Sequence, residues 1–227
     1  MSGPEARLGW RSSIATALGV VLSGPLALLV IARVAPQPPW QDAAVFVNHY
    51  HPVQALPYAL GLLLVGGCVG MVVAASRRLA RRAPVRAALA TVAVTVFASL
   101  IALNYIVQTT FVPALVSDAR TGADVVLAAV TMANPRSLGW SLEMWGYAVL
   151  GVATWLIAPA LRDLPRGRVI ATLLVANGVI SLVGGVLAAV RLSFIASPSG
   201  FALFLLWNAL MLVMSVLSAL AWRHASI

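Results

Sequence analysis

A chain of 227 residues that is 61% hydrophobic and only 9% charged lies far outside the composition of soluble domains. Its formal net charge of +9 would suggest nucleic acid in a soluble protein, but the cations fall in short clusters between apolar runs of bilayer length. That arrangement excludes a nucleic-acid partner and fits the loops of a multi-pass membrane protein in contact with lipid.

The pattern predicts an all-α, single-domain bundle over 1–227 with six transmembrane helices, at about 12–31, 54–76, 87–112, 138–161, 169–190 and 201–222. Span 1 follows Arg7 and Arg11, lacks a small-x-small cleavage site, and is read as uncleaved, with a kink expected at Pro25. The proline-rich stretch from Arg33 to Val53 carries Asp42, His49, Tyr50 and His51 and reads as a long loop, functional or partly folded. Span 2 contains Gly66, Gly67 and Gly70, a small-residue pattern for close helix approach, and also the lone cysteine, Cys68, which rules out an intramolecular disulfide. The cluster Arg77, Arg78, Arg81, Arg82 and Arg86 then marks a cytoplasmic loop.

Span 3 ends in a polar group: Asn104, Tyr105, Gln108, Thr109 and Thr110. Asn104 and Gln108 lie one turn apart on the face that carries Phe97 and Ile101, suited to interhelical hydrogen bonds or to a ligand. The connection that follows, with Asp118, Arg120 and Asp124, includes the apolar run Val125 to Met132, too short to span and expected at the interface or as a re-entrant piece.

Span 4 is the one that places an ionisable residue, Glu143, inside an apolar segment. Asn134 followed by Pro135 predicts its helical start. At about 100° per residue, Trp140, Glu143, Tyr147, Gly151 and Thr154 share one face, opposite Leu142, Trp145, Val149 and Leu156. A membrane carboxyl needs a partner or water, so Glu143 is read as paired with Arg191 at the end of span 5, with Arg136 the alternative, or as a ligand contact. Span 5 aligns Asn177, Ser181, Gly184 and Ala188 with Arg191, and span 6 carries Asn208 and Ser215 on one face.

Most of the 15 arginines fall in segments that an inside N-terminus would place in the cytoplasm, so both termini are expected there. The motif Gln54-x-x-Pro57-Tyr58-Ala59 echoes Glu143-x-x-Gly146-Tyr147-Ala148, as a duplicated hairpin would. His49, His51 and His224 lie outside the spans, which removes a bis-histidine haem, and no cofactor, metal or catalytic constellation is expected. Six residues, Asn104, Gln108, Glu143, Tyr147, Arg191 and Asn208, with Asn177 deeper, form the candidate ligand-binding set, expected as an externally open pocket in the outer half of the bilayer.

Binding or transport of a small molecule or lipid is the first functional expectation. A non-catalytic accessory subunit, holding a membrane-protein partner or a second copy through its glycine seams, is the alternative, and a lipid-modifying enzyme the third. Asn134-Pro135, Leu142-Glu143 and Gly146-Tyr147, with Asn104-Tyr105 and Gln108 upstream, resemble features of uncharacterised bacterial six-span membrane proteins of about this length. The resemblance implies residence in a bacterial inner membrane and implies no activity.

Overall fold

The computed structural model describes residues 3–118 and 122–225, so Arg120 lies outside it. Six long apolar helices account for most of these residues: α1 (Pro4–Val34), α3 (Pro52–Ala80), α4 (Pro84–Ser117), α6 (Leu138–Leu161), α7 (Gly167–Val190) and α8 (Pro198–His224). Two short ones, α2 (Ala43–Asn48) and α5 (Ala123–Val130), lie in the connections, and there is no strand among the described residues. All six long helices have the length and composition to cross a bilayer, which makes this a multi-pass membrane protein. α6 is the least apolar, with a mean hydropathy of 1.5 against 2.0 to 2.3 for the rest, because it carries Glu143 and a line of small and polar residues.

Each long helix packs against the next, and α8 returns to α1, so the six close into a ring around a shared core. The α7–α8 contact is the lightest in that ring. The core is apolar and fully buried at Phe97, Ile101, Leu150, Ile157, Met211 and Met214. Several helices start on proline, whose missing N–H is an orphan at that position in any case: Pro4, Pro84 and Pro198. The helices run past the apolar stretches at both ends, so α1 and α4 exceed their predicted bounds.

Close approach between helices relies on glycine. On α3, a Cβ on Gly67 would meet the Thr16 backbone nitrogen at 2.5 Å, and one on Gly70 would collide with the Ser12 hydroxyl. Gly66, expected in the same seam, instead has nothing within 4 Å and is exposed, about 100° round the helix from Gly67. Between α6 and α7, Gly151 faces Gly178 and Ser181, and Gly185 faces Ala148.

The two ends of the bundle differ. At one end lie the start of α1 and the arginine clusters, where Arg81 pairs with Glu5 at 3.0 Å and Arg82 with Asp163 at 2.7 Å. Arg86 donates to the Leu156 and Trp155 carbonyls at 2.8 and 2.9 Å, satisfying acceptors at the end of α6 that the helix itself leaves open. At the opposite end, α2 and α5 pack through Phe46, Leu127 and Val112 into a second small core, so the loop predicted there is partly folded. Asp42 caps α2 by accepting from Val45 N at 2.8 Å. His49 and His51 are engaged locally, with the Val45 carbonyl and the Val53 amide.

Two of the long helices widen to π turns near this end, Leu22–Leu26 around Pro25 in α1 and Val107–Phe111 in α4. Proline cannot continue the α-helical hydrogen-bond ladder, and the wide turn in α1 is how the chain accommodates it. Both π turns flank the polar residues of the candidate site.

Candidate functional site

Glu143 sits on the second turn of α6, one turn before Tyr147. The helix begins at Leu138 rather than at Pro135. Ser137 takes the cap position, accepting from Trp140 N at 3.4 Å, while Asn134 ties the preceding turn down by donating to the Ala128 carbonyl at 2.7 Å and accepting from Arg136 N at 3.0 Å. With both ends of its amide used in the turn, Asn134 is not the cap.

The partners of Glu143 are neutral. Asn104 Nδ2 donates to its Oε2 at 3.0 Å, and the Tyr105 hydroxyl donates to its Oε1 at 2.9 Å. Tyr105 and Tyr147 hydroxyls lie 3.3 Å apart. Consecutive residues on α4 can both reach the same carboxyl because they straddle the face that α4 turns toward α6, just before its π turn. The expected Glu143–Arg191 ion pair is absent. Arg191 is exposed beyond the end of α7, and its Nε contacts Ser193 Oγ at 3.4 Å. Arg136 is likewise exposed and does not pair with Glu143. Two uncharged donors meet the need that the sequence reading assigned to a cation.

Gln108 works on the backbone. It accepts from Met132 N at 3.0 Å and donates to the Val130 carbonyl at 2.9 Å, gripping the connection between α5 and α6 on both sides of Thr131. Its amide also reaches Asn104 Oδ1 at 3.3 Å. Trp140 Nε1 adds a bond to the Met132 carbonyl at 2.7 Å, so the connection is held from α4 and from α6. Asn104 and Gln108 are 1% and 3% exposed, which places them behind the site as its support. Asn177 is fully buried, donates to Thr154 Oγ1 at 3.2 Å between α7 and α6, and lies away from Glu143.

In front of Glu143 there is a cavity of about 410 Å³. This falls within the range of small-ligand sites. All six long helices line it: α1 at Ser23 and Gly24, α3 at Tyr58, α4 at Tyr105, α6 at Glu143 and Tyr147, α7 at Ser181, and α8 at Trp207 and Asn208. Met132, Phe194 and Ile195 close it from the side of the connections. The lining residues Leu28, Phe201 and Phe204 are also exposed, so the rim between α1 and α8 is apolar. Of the expected set, Glu143, Tyr147 and Asn208 line this cavity, and Asn104, Gln108, Arg191 and Asn177 do not.

Aromatic rings shape its wall. Tyr147 meets Trp207 edge-on at 4.6 Å, and Tyr58 lies 5.7 Å from Tyr105. A Cβ on Gly61 would run into the Tyr105 ring, so that glycine is what lets the ring sit between α3 and α6. Tyr58, Tyr105, Trp140 and Trp207 were not among the sequence candidates. The internal echo held a signal for one of them, since it aligns Tyr58 with Tyr147 and both line the cavity. Trp207 gave none, because an aromatic residue in an apolar helix reads equally well as lipid-facing.

Comparison with protein-family models, with curated proteins and with solved structures finds no match to this chain.

Proposed function

We propose that this protein binds a small amphipathic molecule drawn from the lipid phase, with Glu143 as the polar anchor and the apolar rim between α1 and α8 as the way in. The observation that carries this reading is a half-buried carboxyl on a cavity wall whose partners among the described residues are neutral donors. A carboxyl within a membrane span is costly to keep, and a purely structural one would be sealed by its partners rather than open to empty space. The exposed rim residues Leu28, Phe201 and Phe204 suit passage of an alkyl chain. With the arginine-rich end in the cytoplasm, the cavity lies in the outer half of the bilayer.

The test uses the protein in nanodiscs of neutral lipid and a medium-chain alkyl amphiphile brominated on its tail, which quenches nearby tryptophan. Trp140 and Trp207 line the cavity, so binding gives saturable quenching. Gly184→Leu fills the cavity at a point where a Cβ meets only Met144 Cε at 3.2 Å and Leu203 Cδ2 at 3.6 Å, both flexible ends, and should abolish the saturable part. Quenching that rises without saturation, equally in both proteins, would show partition into lipid alone and end the proposal.

A further inference from the structure

We infer that the molecule held in this cavity carries a protonated amine on an apolar tail. The inference rests on the binding reading above and comes from counting the hydrogen atoms around the site. Asn104 spends both amide hydrogens, one on Glu143 Oε2 and one on Met132 Sδ at 3.1 Å. The single hydroxyl hydrogen of Tyr105 goes to Glu143 Oε1, so in the 3.3 Å contact between the tyrosines it is Tyr147 that donates. The indole N–H of Trp140 is bound to the Met132 carbonyl, and that of Trp207 to Ser181 Oγ at 3.2 Å. Ser23 donates to the Gly19 carbonyl at 2.7 Å, and Asn208 gives one hydrogen to the Phe204 carbonyl at 2.8 Å.

What faces the cavity is therefore mainly acceptor. Each Glu143 oxygen keeps a lone pair, and Asn208 Oδ1, Tyr147 Oη and Ser23 Oγ can accept. Only the rotatable hydroxyls of Tyr58 and Ser181 and one amide hydrogen of Asn208 remain to donate. An ammonium group is donor-only and matches such a wall, whereas a phosphate or sulfate head would find few donors. It would also find no countercharge there, since no arginine or histidine among the described residues lines the cavity. Both ion pairs among the described residues lie at the arginine end, leaving Glu143 without a cation that an ammonium would supply. The rings of Tyr58, Tyr147 and Trp207 offer further stabilisation to a cation.

Three brominated amphiphiles with the same tail separate the possibilities: an alkylammonium, an alkyl glycoside and an alkyl sulfate. In neutral nanodiscs the ammonium should saturate at a concentration about tenfold or more below the glycoside, with no saturable quenching by the sulfate. Glu143→Gln should bring the ammonium down to the glycoside, while Glu143→Asp keeps most of the preference. Thermal melting of each variant without ligand establishes that it is folded, and ligand-induced stabilisation of the wild type gives a second readout of the same order. Equal affinity for all three heads, or tighter binding of the sulfate, would overturn the amine assignment and leave the binding site standing. Saturable binding by none of them would overturn the site and this inference together.

Discussion

At the scale of single residues, the site turns on how a carboxyl is satisfied without a cation. Glu143 takes one hydrogen bond from Asn104 and one from Tyr105, and the two donors are in turn fixed by Gln108, Met132 and Tyr147. Such a network is coupled, so Tyr105→Phe and Glu143→Leu, each of which removes the hydrogen bond between them, should not act independently. Their double-mutant cycle should show an interaction of about 0.6–1.7 kcal/mol, the scale measured for interhelical hydrogen bonds in membranes, read from unfolding in mixed micelles. Additive effects would mean that the contact carries no energy. Arg191→Gln, by contrast, changes an exposed side chain whose hydrogen bond among the described residues is to Ser193, and should change stability by no more than about 0.5 kcal/mol. Glu143 itself was legible in the sequence because a lone acid stands out in an apolar run. Its partners were not, because opposite charge is the obvious remedy and the sequence does not show which neutral side chains are turned toward it.

At the scale of elements, periodicity separated the faces of α6 well: Gly151 and Thr154 are buried and Trp145 is exposed, as the projection requires. Motif spacing did less well on α3. Three glycines within five residues suggested one seam, but only Gly67 and Gly70 face α1. Gly67→Leu should therefore cost about 1–3 kcal/mol or more, because Thr16 backbone atoms cannot move aside, while Gly66→Leu should melt with the wild type. Thermal unfolding in detergent followed by circular dichroism distinguishes the two. The α5–α6 connection offers another case. Nothing in its sequence announces that Gln108, on a different helix, holds its backbone from both sides. Gln108→Leu leaves a buried amide and a carbonyl without partners, at about 1–3 kcal/mol each, and the connection should loosen. Hydrogen exchange should then accelerate at the Met132 amide while that of α7 stays unchanged. Equal acceleration throughout would indicate global destabilisation instead.

At the scale of the whole molecule, six spans and their order follow from apolar run length, and the ring follows from short connections that make neighbours in sequence neighbours in space. Which end faces the cytoplasm is a matter of charge. Arg81, Arg82 and Arg86 gather at one end with Asp163 and Glu5, and short arginine-rich loops resist translocation, so we propose that this end faces the cytoplasm and that the cavity lies in the outer half. A probe of this assignment needs accessible positions. Leu79, although within the basic cluster, is only 5% exposed, so a cysteine there would stay unlabelled whichever way the protein faced. Arg82 has a side chain that is 75% exposed, and Ser199, in the first turn of α8 at the opposite end, is exposed as well. In a background with Cys68 replaced by alanine, Ser199→Cys should react with an impermeant maleimide added to intact cells, and Arg82→Cys should react only after the membrane is opened. Labelling of position 82 from outside, with position 199 protected, would invert the protein in the bilayer and place the Glu143 cavity in the inner half. Its ligand would then be drawn from the inner half of the bilayer, although the chemistry of the site would be unchanged.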